Sequence, residues 1–396
     1  MVPQLPSGAK TIIKRLEDAG FDAHIVGGCV RDFLLSKTPF DFDITTSALP
    51  DEMKSVFSDM RTVETGIKHG TLTVLADGEA YEVTTYRVDG EYENHRKPKS
   101  VTFSRSLSED LSRRDFTMNA ICYSERDGFI DEFSGIPDIE KRIIRAVGEP
   151  GLRFEEDALR ILRALRFSSQ LGFLIEAETE KALFEKAHLL LSVSAERIYS
   201  EWHKLIGGKY AYDVIERYGE IISRFLTPLP IKLPRRDLFD GAEGEIRQLS
   251  IFAISADESV SAFSDFCDRM KTDAKTKRGG ALALSNIDIP ISSKADVRLA
   301  MIRLGEKTVR DILRLRETLS MGCGEGEDTV DEILRSDYPL SLSLLKVGGE
   351  DMKQLGLSGR DIGSVLWELL LMTARDEVKN EREALMRAAE KIKNGI

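Results

Sequence analysis

Strand-forming signals fade at about Glu140, and from there to Ile396 the chain reads as one helical pattern after another. Breakers such as GEPG, IGGK, TPLPIKLPRR and SNIDIPISS punctuate that run. A helical remainder this long predicts elongated helical modules beside an α/β head. The head itself reads as α/β. A helical pattern (AKTIIKRLEDAG) leads into a short apolar strand (AHIV), and Gly27-Gly28 opens a second helix (VRDFLLS). In GTLTVLADGEAYEVTTYRV, strand-forming residues flank an Asp77-Gly78 turn, a strong hairpin signal. The stretch Tyr86 to Ser100 loses apolar periodicity and gains Gly, Pro and charge, which predicts a mobile loop. No fixed-period repeat and no low-complexity tract occurs.

At 396 residues and 42% hydrophobic, the chain can bury two to four domain cores. Its cysteines (Cys29, Cys122, Cys267, Cys323) are scattered without a CxxC pair. That argues against structural zinc and a disulfide framework, and for a reducing, cytoplasmic setting. The N-terminal residues do not read as a signal peptide, and no apolar run approaches a membrane span. The net charge of −11 excludes a generally basic nucleic-acid binder but not a locally basic binding face.

Four short stretches carry chemistry. DFDITT supplies Asp41 and Asp43, which on a strand would point to the same side. Two hard oxygen ligands so placed suit Mg²⁺, which takes one or two carboxylates plus substrate phosphates. A metal pair about 3.5–4 Å apart would serve both the attacking and the leaving oxygen of a phosphoryl displacement. Glu82 in YEVTTYR is the candidate third carboxylate, placed to help draw the proton from an attacking hydroxyl; a solvent-facing strand position explains it equally well. VGGCVRD places Gly28 and Arg31 between strand and helix, where backbone and guanidinium can approach a phosphate. A tight strand-to-helix turn accounts for the glycines alone. In LSRRDFTMNA, Arg114 is a candidate nucleotide contact, and Asp115 and Asn119 are candidates for ribose hydroxyls. A helix start capped by Asp115 is the other reading.

The fourth stretch is EDALRILRALRF, Glu156 to Phe167. On one continuous helix, Ala158, Ile161, Leu162 and Leu165 share an arc. Asp157, Arg160, Arg163 and Arg166 then gather largely on the other side at i,i+3 spacing. A solvated face laced with ion pairs, such as Glu156 with Arg160, is the ordinary explanation.

Taken together and in this order, GGCVRD, DFDITT, EVTTYR, RRDFTMNA and EDALRILRALRF resemble the class II tRNA nucleotidyltransferases, the CCA-adding enzymes of the polymerase-β-like superfamily. The resemblance is dense from about Asp22 to Leu205, and LKVGGEDMKQLGLSGRDIG is similar to that family's tail element. It implies an α+β chain: a polymerase-β-like head with a small mixed sheet, then an all-α neck, body and tail. The expected divisions are a catalytic head at 1–147, a neck at 148–206, a body at 207–290 and a tRNA-binding tail at 291–396. It implies addition of C, C and A to the tRNA 3′ end from CTP and ATP, with Mg²⁺ and without a template strand. By motif position, Asp41 and Asp43 are the implied metal ligands, and Gly28, Arg31 and Arg114 the implied nucleotide contacts. Asp157, Arg160, Arg163 and Arg166 correspond to the nucleotide-selecting helix. The stretch Tyr86 to Ser100 resembles the loop implicated in switching from C to A.

A carboxylate beside a guanidinium offers acceptor beside donor. That pattern complements cytosine and adenine and mismatches uracil and guanine, so Asp157 and Arg160 are expected to read the base. Lys141, Arg142 and Arg145 are candidate tRNA contacts. Phe40 stands where the family often has Gly, and Glu132 where Pro is common. No His-Asp dipeptide occurs, so the phosphohydrolase domain of some relatives is not expected. An enzyme adding only A or only CC, a poly(A) polymerase, and a tRNA-binding chain without catalysis are the alternatives. The assembly is expected to be a monomer or homodimer.

Overall fold

The computed structural model describes residues 4–90, 92–93, 97–98, 101–226, 231–322 and 324–395. These form two compact units, residues 1–214 and 215–396.

The first unit is built on a seven-stranded mixed sheet. Its strands are β1 (Ala23–Val26), β2 (Asp43–Thr46), β3 (Thr62–Val63), β4 (Thr71–Ala76), β5 (Glu79–Thr85), β6 (Cys122–Ser124) and β7 (Gly128–Ile130). They lie in the order β7-β6-β1-β2-β5-β4-β3. Strand β1 is antiparallel to β2 and β6, whereas β2 and β5 run parallel. Every residue of β1 is buried, and β4 alternates strictly between buried and half-buried positions. The predicted hairpin forms: Asp77 (φ 52°) and Gly78 (φ 83°) both sit in the left-handed region that a two-residue turn of this hand requires. Helix Ser7–Asp18 covers the sheet with buried Ala9, Ile12, Ile13 and Leu16.

The expectation of a mobile loop at Tyr86 to Ser100 is corrected in part. Arg87–Asp89 pairs with Val101–Phe103, and Tyr92–Glu93 pairs with Lys97–Pro98, so the described residues form a two-stranded ribbon. Residues 91, 94–96, 99 and 100 of that stretch lie outside the described residues. Charge and Gly/Pro content hid strands whose pairing is local. The ribbon's base is fixed where Tyr86 N donates to Thr46 O (2.8 Å) and the Tyr86 hydroxyl meets buried His24 Nδ1 (3.1 Å).

After the sheet the first unit continues as helices Gly135–Glu140, Pro150–Glu156, Leu159–Leu171, Ala177–Lys186 and Ala195–Ile206, and the expected all-α neck is corrected by a short parallel pairing of Ile143–Ile144 with Leu174–Ile175. The described part of the second unit is helical throughout and contains no strand. One of its cores gathers Val297, Val309, Leu313 and Val330, and another gathers Met352, Val365, Leu369 and Leu385. Cys29, Cys122 and Cys267 are buried free thiols, and burial pushes those of Cys29 and Cys122 up to about 12. Cys323 lies outside the described residues.

One close approach holds the head to the first of these helices. At Gly135 an added Cβ would lie 2.2 Å from the Thr117 carbonyl oxygen and 2.8 Å from the Ile121 side chain. Gly135→Ala is therefore expected to destabilise the first unit by about 1–3 kcal/mol. The denaturant midpoint of the full chain measures this, and an unchanged midpoint would contradict the packing described.

Candidate active site

The sheet register brings the acidic motif together. Val26 at the end of β1 lies opposite Asp43, and Asp43 lies opposite Glu82 on the parallel neighbour β5. Strand β2 begins at Asp43, so Asp41 precedes the strand instead of lying two places along it, which corrects the simple alternation argument. The pair is nevertheless close enough to interact. Asp43 keeps a solvent-exposed side, yet the protein crowding round it pushes its carboxyl up to about 6. The negative charges of Asp41 and Glu82 add to this, and the Arg114 guanidinium opposes it.

Opposite these carboxylates stands a cationic wall. The Gly27-Gly28 turn leaves β1 beside Asp43, and Gly27 (φ 81°) adopts a conformation that favours glycine. A Cβ at Gly27 would lie 3.4 Å from Arg114 Nη1, and one at Gly28 would lie 3.6 Å from Arg31 Nη2. Two guanidiniums thus lie against the turn. Arg31 donates to Asn119 Oδ1 (2.9 Å), Asn119 Nδ2 donates to Asp115 Oδ1 (3.1 Å), and Arg163 Nε donates to Asp115 Oδ2 (2.7 Å). Asp115 and Asn119 are buried, and their groups already serve this chain. Burial of Asp115 favours its neutral form, but the Arg163 charge and the hydrogen bonds from Asn119 and Arg163 win and hold the carboxyl at about 2.

The arginine stripe is corrected in one respect. Helix Pro150–Glu156 ends before Asp157, whose backbone is extended (φ −137°, ψ 102°), and a new helix runs over Leu159–Leu171. Asp157 Oδ1 accepts from Leu159 N (3.1 Å), so the aspartate caps the new helix from outside it. Aspartate favours that position because its side chain satisfies an N–H the first turn cannot. Ala158, Ile161, Leu162 and Leu165 are buried as expected. The arginines each meet a carboxylate, one local and two distant in sequence. Arg160 pairs with Glu156 (2.5 Å), Arg163 with Asp115 (2.6 Å) and Arg166 with Glu201 (2.6 Å). The ion pairs of the ordinary reading therefore exist, but Arg160 is only 8% exposed, so this is no solvated face. Arg160 also donates to the carbonyls of Arg153 (3.1 Å) and Arg113 (2.9 Å). Asp157 pairs with Arg197 (2.7 Å).

Several residues that shape this site escaped the sequence reading. Asp110, fully buried, binds Arg113 (2.5 Å) and Arg114 (3.2 Å); burial works against its charge, but the two arginines hold it below the usual carboxylate range. The Phe167 ring gathers three guanidiniums, with the Cζ atoms of Arg166, Arg31 and Arg163 at 3.9, 5.2 and 5.4 Å from its centroid. Arg197 and Glu201 come from helix Ala195–Ile206, too far along the chain for spacing to connect them with Asp157 and Arg166. Of the proposed tRNA contacts, Lys141 is exposed, Arg142 donates to Leu171 O (3.1 Å), and Arg145 pairs with Asp138 and Glu176 (both 3.2 Å).

The comparisons with known proteins agree with this layout. Residues 23–145 match the family model described as the Poly A polymerase head domain. Residues 172–219 match that of a probable RNA and SrmB-binding site of polymerase A. The CCA-adding enzyme of Pediococcus pentosaceus is 38% identical over 99% of this chain and 99% of its own. The chain belongs to the CCA-adding enzymes. That of Geobacillus stearothermophilus is 52% identical over 61% of this chain and 56% of its own. Among solved structures, the Bacillus stearothermophilus CCA-adding enzyme in complex with CTP superposes with a TM-score of 0.80, at 31% identity and 99% coverage of both chains. A Thermotoga maritima CCA-adding enzyme complexed with tRNA shares the fold at 21% identity (TM-score 0.66, covering 97% of this chain and 94% of its own). The chain is thus an α+β nucleotidyltransferase of this family.

Members of the polymerase-β-like superfamily use divalent metal ions, and the donor set here fits one. Among the described residues no group of three His, Cys, Asp or Glu side chains is arranged to hold an ion by itself. Two adjacent carboxylates that repel each other suit a hard cation that takes its remaining ligands from phosphate and water.

The Asp115–Arg163 pair yields a pH prediction. Because the folded carboxyl sits at about 2, below the ordinary value near 3.9, its contribution is complete above about pH 4. It is lost as pH falls through about 2. Asp115→Asn should flatten the fall in stability between about pH 4 and 2, where the wild type loses on the order of 2 kcal/mol from this group. Parallel denaturation curves for the two proteins across that window would contradict the assignment.

Proposed function

We propose that this chain extends tRNA 3′ ends by C, C and A, using CTP twice and ATP once, with residue roles as follows. The tRNA 3′-oxygen attacks the α-phosphorus; the new P–O bond forms as the bond to pyrophosphate breaks. Asp41 and Asp43 hold the divalent cation, which we take to be Mg²⁺ and which, when bound, makes the hydroxyl more acidic and neutralises the developing charge. Glu82, in register with Asp43, receives the hydroxyl proton directly or through water. The observation that carries this reading is the juxtaposition of Asp43 with the Gly27-Gly28 turn, Arg31 and Arg114. A carboxylate pair beside two guanidiniums supports the reading of a triphosphate bound between metal and arginines. Arg114 Nε is buried without a hydrogen-bond partner, a costly state that a phosphate oxygen would relieve.

Asp157 and Arg160 read the base. Cytosine and adenine each present an amino donor beside a ring-nitrogen acceptor. A carboxylate accepts the first and a guanidinium donates to the second, whereas uracil and guanine oppose like to like. Arg197 and the helix cap fix Asp157, and Glu156 with two carbonyls fixes Arg160, so the reading edge is positioned before a nucleotide arrives. Arg163 and Arg166 hold that helix against Asp115 and Glu201. For Asp115 and Asn119, a ribose contact would exchange for one of their present bonds. The first unit serves as head and neck, and the second supplies the body and tail that grip the tRNA. The full-length relatives bear the CCA-adding name, so a poly(A) polymerase or a partial adder has no comparable support. Among the described residues no helix is long and apolar enough to cross a membrane, and we place the reaction in the cytoplasm.

Two sets of variants test the roles. Asp41→Ala should abolish incorporation while tRNA binding persists; retained incorporation would remove Asp41 from the metal site. Asp157→Ala should raise incorporation of UTP and GTP relative to CTP and ATP by about 10- to 100-fold, since each base contact is worth about 1–3 kcal/mol. Arg197→Ala should shift selectivity the same way by less. Unchanged selectivity in Asp157→Ala would leave the stripe a purely structural ion-pair network.

A further inference from the structure

Phe40 is the most exposed large apolar side chain among the described residues, at 101%, against 77% for the next, Leu191. Its loop is short and anchored at both ends. Helix Gly28–Leu34 ends in tight hydrogen bonds from Ser36 N to Phe33 O (2.9 Å) and from Lys37 N to Asp32 O (2.8 Å). At the far end the Phe42 ring packs on Phe33 with centroids 5.9 Å apart. Phe33 and Phe42 therefore find apolar partners in this segment, and Phe40, between them in sequence, is left facing water. Packing gives no reason for an aromatic ring in that place.

Its position supplies one. Phe40 immediately precedes Asp41, so their Cα atoms lie about 3.8 Å apart. On the reading proposed above, on which this inference rests, a tRNA 3′-hydroxyl must come to the Asp41–Asp43 pair. The terminal base is carried on the same sugar as that hydroxyl, which brings it within side-chain reach of Phe40. An exposed aromatic face stacks on any base, because every base has a π-face. That tolerance is what this reaction needs, since the terminal base changes with each addition. We propose that Phe40 is a stacking contact for the 3′-terminal base of the acceptor RNA, acting on primer positioning and not on nucleotide choice.

The test compares steady-state addition of A to a tRNA ending in CC with addition to the same tRNA carrying an abasic 3′-terminal nucleotide. For Phe40→Ala the KM for the intact tRNA should rise about tenfold, with kcat and the KM for ATP little changed. The wild type should lose a similar factor on the abasic primer, and Phe40→Ala should lose nothing further there. Phe40→Trp should restore the intact-primer KM, and Phe40→Leu, apolar but without a π-face, should behave as alanine. An unchanged KM in Phe40→Ala would overturn the proposal, as would multiplicative losses from variant and abasic primer or a loss confined to kcat. Failure of the wild type to extend either primer would instead overturn the nucleotidyltransfer reading itself.

Discussion

The pair of buried Asp115 and half-buried Arg163 is the joint on which the site depends. Asp115 belongs to the segment that closes the strand-bearing head, and Arg163 to the helix that begins just beyond Asp157. Their contact ties that helix to the head whose central strand carries Asp43. The same carboxylate, through Asn119, sets the Arg31 guanidinium beside the Gly27-Gly28 turn. An ion pair of this kind adds little net stability over an apolar contact, but removing the arginine leaves the buried Asp115 charge uncompensated. Its value lies in register. On the proposed reading, the distance between the base-reading edge and the phosphate-transferring centre must be constant if amino acids are to replace a template strand.

On the proposed reading, the break in the helix at Asp157 has a functional sense. Inside a continuous helix, Asp157 would project from the same cylinder as the arginines and share their fate as surface ion pairs. As a cap it sits on extended backbone, tethered by one backbone N–H and by Arg197. The carboxylate is then oriented by contacts from two helices and not by one flexible side chain. Arg160, a turn later, is held equally firmly by Glu156 and two carbonyls. Pre-oriented polar groups of this sort discriminate well, because a mismatched partner leaves them unsatisfied.

Much of this was legible in the sequence because its signals are local. The Asp77-Gly78 hairpin, the apolar β1 strand, the Gly27-Gly28 turn and the buried arc of Ala158, Ile161, Leu162 and Leu165 all follow from spacings of a few residues. What stayed hidden is pairing across long chain distance. Nothing near Asp157 points to Arg197, and nothing near Arg114 shows that Asp110 is fully buried beneath it. Phe167 closes the EDALRILRALRF stretch with no role that spacing could assign, yet it is the ring on which three arginines gather. The ribbon after Tyr86 was missed for the opposite reason: its composition is that of a loop, and only its hydrogen bonding makes it a ribbon.

The central claim, that one chain completes the whole triplet and then stops, is tested most directly by gel-resolved addition to three tRNA transcripts. They end before C74, after C75 and after A76, and each is offered CTP, ATP or both with Mg²⁺. The account predicts that the first is completed to CCA, that the second gains a single A, and that the third is left alone. Extension of the second alone would show an A-adding enzyme, and continued growth of the third would show an untemplated polymerase; either result would contradict it.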